Sequence, residues 1–332
     1  EVLSNVVDDM LEPEIPRNSF LRQYAEHSLY ALAWDMQWNR YRSRKEPAVY
    51  EIFSKERKYR EYELDALFNS LVNSGILVSV GADMVRFAYD GIQAYCCAKA
   101  IMEFDKKRRD QVLDDITASL GRLTRYWWWE ETIILLSGLV NNPTKLLRTI
   151  DFGMDMLKGE HLFLMARCLL ENSPKRIKPE LRNQIVGNLI LRLLKENDPQ
   201  PARRAMAADL LGQLREESAV EELARKVASY DEDKERWEQE LHENDSMVRM
   251  QAAFALKAIM PFPREKIEDP LMYELLQWWI DGNVTAINRE LLVNEQSSGA
   301  RAIAAFALGD LQTDTAKKIL IFAFLDLSLI HI

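Results

Sequence analysis

Between Phe20 and Tyr41 the apolar side chains Leu21, Tyr24, Ala25, Leu29, Leu32 and Met36 fall on one helical stripe, and Leu64, Leu67, Phe68 and Leu71 do the same over Glu61 to Asn73. Ser74-Gly75 closes the second helix, and the charged stretch between the two, which includes Pro47, predicts an interruption. The period then shortens. In "ILVSVGADMVRFAY" two alternating runs flank Gly81-Ala82-Asp83, the pattern of a β-hairpin. Val85, Phe87 and Tyr89 alternate as on a half-buried strand, whereas Ile92, Tyr95, Cys96 and Ala100 recur at helical spacing. The switch falls at Asp90-Gly91, with Asp90 read as the cap of the following helix.

Helix, helix, two-stranded wing, helix is the order of a winged-helix domain, here over 20–104, with 1–19 as a linker or a short helix and turn. After a charged junction at 105–115 the pattern is helical to the end. "TRYWWWEETIILLSGLV" and "HLFLMARCLLEN" read as buried helices, separated by loops at Asn141-Pro143 and Asp151-Gly153, in a connector spanning 105–177.

Three later segments resemble one another: "RAMAADLLGQL" from Arg204, "RMQAAFALKAI" from Arg249 and "RAIAAFALGDL" from Arg301. Each places alanines three and four positions after the Arg and a leucine seven after it (Leu211, Leu256, Leu308), at intervals of 45 and 52 residues. Such periods mark two-helix solenoid repeats. Alanine at the contact lets neighbouring helices approach closely, and the leucines supply a continuous core. "NDPQPARRAMAADLLGQL" and "NDSMVRMQAAFALKAI" resemble HEAT repeats, so 178–332 is expected to be a HEAT-like array. The fold class is therefore all-α: a winged-helix-like head with a small hairpin, then an α-solenoid.

With 332 residues, 48% hydrophobic, and only 11 Pro and 12 Gly, the chain has ample material for packed helical cores. A net charge of −9 and a pI near 5.2 repel phosphate polymers, so nucleic acid would need a local patch. Two basic runs exist, "RYRSRKEPAVYEIFSKERKYR" from Arg40 and "KKRR" from Lys106, but both sit among acids and read as solvated faces. Three cysteines make no disulfide framework, and no apolar run is long enough to span a bilayer, so a reducing cytoplasm fits. The chain begins at Glu1 without Met and stops inside an apolar helical pattern, which reads as a fragment of a longer polypeptide.

"VRFAYDGIQAYCCAKAI" beside "WWWEETIILLSGLV" resembles the segment that follows the nucleotide-binding module in NACHT-type STAND NTPases. In that family the winged helix ends in a strand reading F-x-H, then a helix reading roughly S-F-Q-E-Y-x-A-A, then helical repeats. Phe87, Gln93, Tyr95 and Ala98 match. The family's histidine reaches the β-phosphate of ADP, and Tyr89 stands at that position here. A phenol can donate one hydrogen bond to a phosphate but lacks the imidazolium charge. The resemblance implies an NTPase module upstream of Glu1, binding ADP or ATP. It also implies repeats that sense a protein ligand, in anti-phage defence for bacterial members.

No chemistry competes with that reading inside the chain. There is no G-x-x-x-x-G-K-[ST], so this chain carries no cofactor site of its own. The histidines His27, His161, His242 and His331 are scattered, and no cysteine or serine stands in a nucleophile motif, so neither a metal site nor a catalytic residue is expected. The acid-rich "YDEDKERWEQELHEND" reads as a solvated inter-repeat segment. Trp127, Trp128 and Trp129 cannot all face one way on a helix, and Trp278-Trp279 raise the same question; these five are the candidate partner-binding residues. A free-standing HEAT scaffold and a winged-helix nucleic-acid binder resting on Arg40 to Arg60 are the alternatives.

Overall fold

The computed structural model describes residues 2–17, 19–56, 61–81, 83–104, 106–120, 126–153, 160–194, 198–228, 242–283, 287 and 298–321. They are mostly helical, with one small sheet, and divide into two compact units, Glu1–Lys178 and Pro179–Ile332.

The first unit opens with α1 (Val2–Leu11), where the pattern allowed a linker or a short helix and turn. Val7, Leu11 and Ile15 are buried, and Arg22 fastens the segment: it pairs with Asp8 and Glu26 and donates through Nη1 to the Ile15 carbonyl at 3.2 Å. Next comes α2 (Phe20–Asn39), whose stripe from Tyr24 to Met36 is buried. Arg40, in the left-handed region at φ 60°, ends it.

The charged stretch interrupts the helical stripe at Arg40, as expected, but is itself structured. It forms β1 (Arg44–Lys45) and α3 (Glu46–Glu56), with Val49 and Phe53 buried. Pro47 sits in the first turn of α3, where its missing N–H has no intrahelical acceptor to lose and its fixed φ suits the helix. Then follow α4 (Glu61–Asn73), β2 (Leu77–Val80) and β3 (Met84–Phe87). Gly75 (φ 76°) and Gly81 (φ 75°) take the left-handed conformations at the helix end and in the hairpin loop.

β3 pairs with β2 through Val80↔Met84 and Leu77↔Phe87, and on its other side with β1 through Arg44↔Val85, all antiparallel. The sheet order is β1-β3-β2. Val85 and Phe87 are buried while Arg86 is exposed, as the alternation requires. β3 runs into α5 (Asp90–Glu103), whose cap is Tyr89 rather than Asp90. No side-chain cap hydrogen bond is made there, and Asp90 stands in the first turn, where a carboxylate complements the helix dipole.

The unit continues with α6 (Lys106–Leu120), α7 (Tyr126–Leu139), α8 (Pro143–Gly153) and α9 (Glu160–Glu171). Asp151–Gly153 close α8 instead of forming a loop of their own. α7 packs on α5 and α9. Arg176, in a short 3-10 turn, donates to the carbonyls of Gly138 (2.8 Å) and Val140, satisfying acceptors that the end of α7 leaves open.

The second unit contains α10 (Pro179–Arg192), α11 (Pro201–Gln213), α12 (Val220–Ala228), α13 (His242–Ile259), α14 (Pro270–Ile280) and α15 (Ser298–Leu311). The aligned alanines 207, 208, 252, 253 and 304 and the leucines 211, 256 and 308 are buried. α11 lies close along α13: a Cβ built on Gly212 would come within 2.6 Å of the Ala255 Cα. The repeat Arg has a structural task, since Arg204 is buried and donates to the Asp198 carbonyl at 2.8 Å, while the buried Asp198 carboxylate accepts from Arg192 at 3.1 Å. α12 packs on α13 and also on α15, one repeat further along.

Candidate functional site

Within the first unit, α2, α5 and α7 converge on a buried polar node. Gln37 lies four residues after Ala33 on the buried side of α2, a polar residue on an otherwise apolar stripe. Its Nε2 donates to the Trp128 carbonyl on α7, and the Trp128 indole Nε1 donates back to the Gln37 carbonyl at 2.7 Å. Gln93 on α5 donates to Gln37 Oε1 at 3.2 Å. Sequence reading singled out Gln93 and Trp128 but not Gln37, whose signal was that break in the stripe.

Around the node the tryptophans pack together. Trp129 is 5% exposed and lies 6.2 Å from both Trp34 and Trp38, measured between ring centres. Trp128 is half-buried, and the Trp127 side chain lies outside the described residues. The run of three is thus turned, through Trp128 and Trp129, toward α2 of its own unit.

Trp279 in the second unit is 1% exposed, packs on Phe254 at 5.1 Å and donates through Nε1 to Asp310 at 2.9 Å. Lys257 lies 4.6 Å over its ring and pairs with the same carboxylate at 2.6 Å. Hydrogen bonding to Lys257 holds Asp310 below the usual carboxylate range against a smaller opposing effect of burial. Trp278, half-buried, is the member of that pair left nearer the surface.

Tyr89 is 65% exposed at the head of α5, while Phe87 and the matched Gln93, Tyr95 and Ala98 are buried.

Cys96, Cys97 and Cys168 are free and buried, and desolvation pushes all three thiols up, Cys168 to about 12. Neutral thiols make poor nucleophiles. Among the described residues there is no group of three potential metal ligands, and no helix is long and apolar enough to cross a membrane. In the basic stretch, Arg44 pairs with Asp35 and lies 4.4 Å over Tyr41, and Lys55 pairs with Glu51. Arg57 to Arg60 at the end of the basic stretch, residues 229–241 with most of the acid-rich run, and the apolar terminus from 322 lie outside the described residues. No family model, curated protein or solved structure matches the chain.

Proposed function

We propose that this chain is a non-catalytic regulatory and ligand-sensing region of a STAND/NACHT-type signalling NTPase: a winged-helix head followed by HEAT-like repeats. The observation that carries the reading is the path of the head: helix, short strand, two helices, two strands, with sheet order β1-β3-β2 and β3 leading directly into α5. That order supports a winged-helix reading of the head, with a first strand that the sequence pattern did not reveal. The exposure of Tyr89, two residues after β3, is compatible with the nucleotide-sensing position that the resemblance gives it. The close approach of α11 to α13 at Gly212, with the aligned alanines buried, supports a HEAT-like second unit.

In this reading the repeats bind a protein ligand, and the head holds or releases an upstream nucleotide module according to which state the ligand prefers. Such a switch moves only by the ligand's differential affinity for the two states. Cytoplasmic location and a part in anti-phage defence belong to the same proposal. A winged-helix nucleic-acid binder draws less support, because α4 carries no Lys or Arg and turns the Asp65 carboxylate outward, which repels phosphates.

The test is to read the coding DNA upstream of Glu1. A phosphate-binding Walker loop within roughly 300 residues, about two domains' length, supports the proposal. A start codon adjoining Glu1 overturns it in favour of a free-standing HEAT adaptor.

A further inference from the structure

The sheet of the first unit has two faces of opposite character. Leu77, Val85 and Phe87 turn into the core and are buried, and Arg44, opposite Val85 in the ladder, is held by Asp35 at 2.8 Å. By alternation Val78, Val80, Met84, Arg86 and Lys45 fall on the other face. Val80 is 44% exposed, Arg86 and Lys45 are exposed, and Val78 and Met84 are half-buried.

The register fixes how these five stand to one another. Val78 lies opposite Arg86, Val80 opposite Met84, and Met84 opposite Lys45. Arg86 and Lys45 are therefore diagonal neighbours, about 7–8 Å apart, within reach of a single anion for two long side chains. Asp83 and Glu46, next along the two strands, alternate onto the opposite face and are joined through the Glu46 N–H and the Asp83 carbonyl at 2.8 Å. Among the described residues neither Lys45 nor Arg86 forms an ion pair. What remains is an apolar strip of two valines and a methionine beside two free cations, in a chain whose net charge is −9.

We propose that this outer face of the sheet docks an extended segment of another protein that carries a carboxylate beside apolar side chains. Val78, Val80 and Met84 receive the apolar side chains, and the cation pair selects the carboxylate. A second copy of this chain is disfavoured, since two such faces would set Lys45 and Arg86 against their own kind. Nucleic acid is disfavoured as well, because its binding draws on many phosphate contacts and this face offers two cations in an acidic chain. The face lies on the head and does not rest on the sensing role proposed for the repeats.

The experiment is fluorescence anisotropy on the full chain with a labelled peptide of alternating Glu and Val. Its counterpart with Lys in place of Glu and an oligothymidylate are run in parallel, and light scattering follows the chain alone. The acidic peptide is expected to bind, with affinity falling roughly tenfold in the double variant Lys45→Glu, Arg86→Glu and in Val80→Asp, about 1.4 kcal/mol. The double variant should instead take up the Lys peptide. Binding should be unchanged by Lys175→Glu, Lys178→Glu, a pair exposed elsewhere in the same unit. All five substitutions are at exposed positions, and a melting curve verifies that each variant is folded. No binding of the acidic peptide, or equal loss from the control pair, would overturn the proposal. Binding of oligothymidylate alone would reassign the face to nucleic acid, and self-association abolished by the double variant would reassign it to a second copy.

Discussion

Gln37 and Trp128 hold each other by two hydrogen bonds of opposite sense, side chain to main chain in both directions. One pair of residues thus fixes both the height and the rotation of α7 against α2. Since Gln93 donates to the same Gln37 side chain, α5 is tied into the contact.

Replacing Gln37 by Leu keeps its carbonyl for the indole but removes the donor to Trp128 and the acceptor for Gln93. A loss of about 1–3 kcal/mol is expected, the cost of buried polar groups left without partners. Trp128→Phe removes the other bond at a similar cost. In a double-mutant cycle by urea denaturation the two losses should fall short of adding, because they share one contact. Strict additivity would show that the bonds do not act together.

Gly212 and Gly309 occupy the same repeat position and meet opposite surroundings. A side chain at 212 runs into the Ala255 backbone, so Gly212→Val is expected to cost about 1–3 kcal/mol or more, read as a lower Tm. Among the described residues nothing lies within 4 Å of a Cβ at 309, and Gly309→Ala should be neutral or stabilise by up to about 1 kcal/mol through helix propensity.

The difference between those glycines marks the limit of sequence reading here. The repeat was legible because its alanines recur in register; which of its glycines touches a neighbour depends on the helix packed against it. The helix 61–73 and the hairpin were legible from period and glycine. β1 and α3 were hidden because β1 has two residues, too few to show alternation, and α3 is charged on its outer face, with Pro47 where a breaker and a helix-starter look alike. The cap moved from Asp90 to Tyr89 because the backbone turns one residue before the best capping side chain. Of the five candidate tryptophans, Trp129 and Trp279 are buried, since a helix pattern gives the angle between neighbours but not which neighbour faces the core. Gln37 was missed because its partners are remote in sequence.

The three thiols should stay silent toward a disulfide reagent such as DTNB in the native chain and all react once it is unfolded. Burial raises their pKa values, so the unfolded thiols ionise first, near pH ~8.5, and unfolding then releases protons. Stability is expected to be whole below that pH and to fall as pH rises toward the folded value of about 12 for Cys168. Denaturation midpoints at pH 7.5 and 9.5, on either side of that pH, check the sign; a flat profile would refute it.

Asp310 works at the other end of the scale. Its pKa is lowered in the fold, so its pairing with Lys257 and Trp279 stabilises above the unfolded carboxylate value near ~3.9 and is lost as pH falls through the folded value. Asp310→Asn should flatten that acid limb while changing stability at neutral pH by about 1 kcal/mol or less, since the pair is partly exposed. Urea midpoints between pH 2.5 and 6 would reveal the limb.

The packing of α12 on both α13 and α15 makes the second unit something other than a stack of beads. In a strictly linear array each repeat leans only on its neighbours, so the end repeat frays first and opening spreads inward. Here the last repeated helix is also strapped to the first hairpin of the series, and loosening it exposes the core at α12 as well. Amide exchange in α11, α13 and α15 should then slow together and share one opening free energy, so the unit would answer a bound partner as a single body.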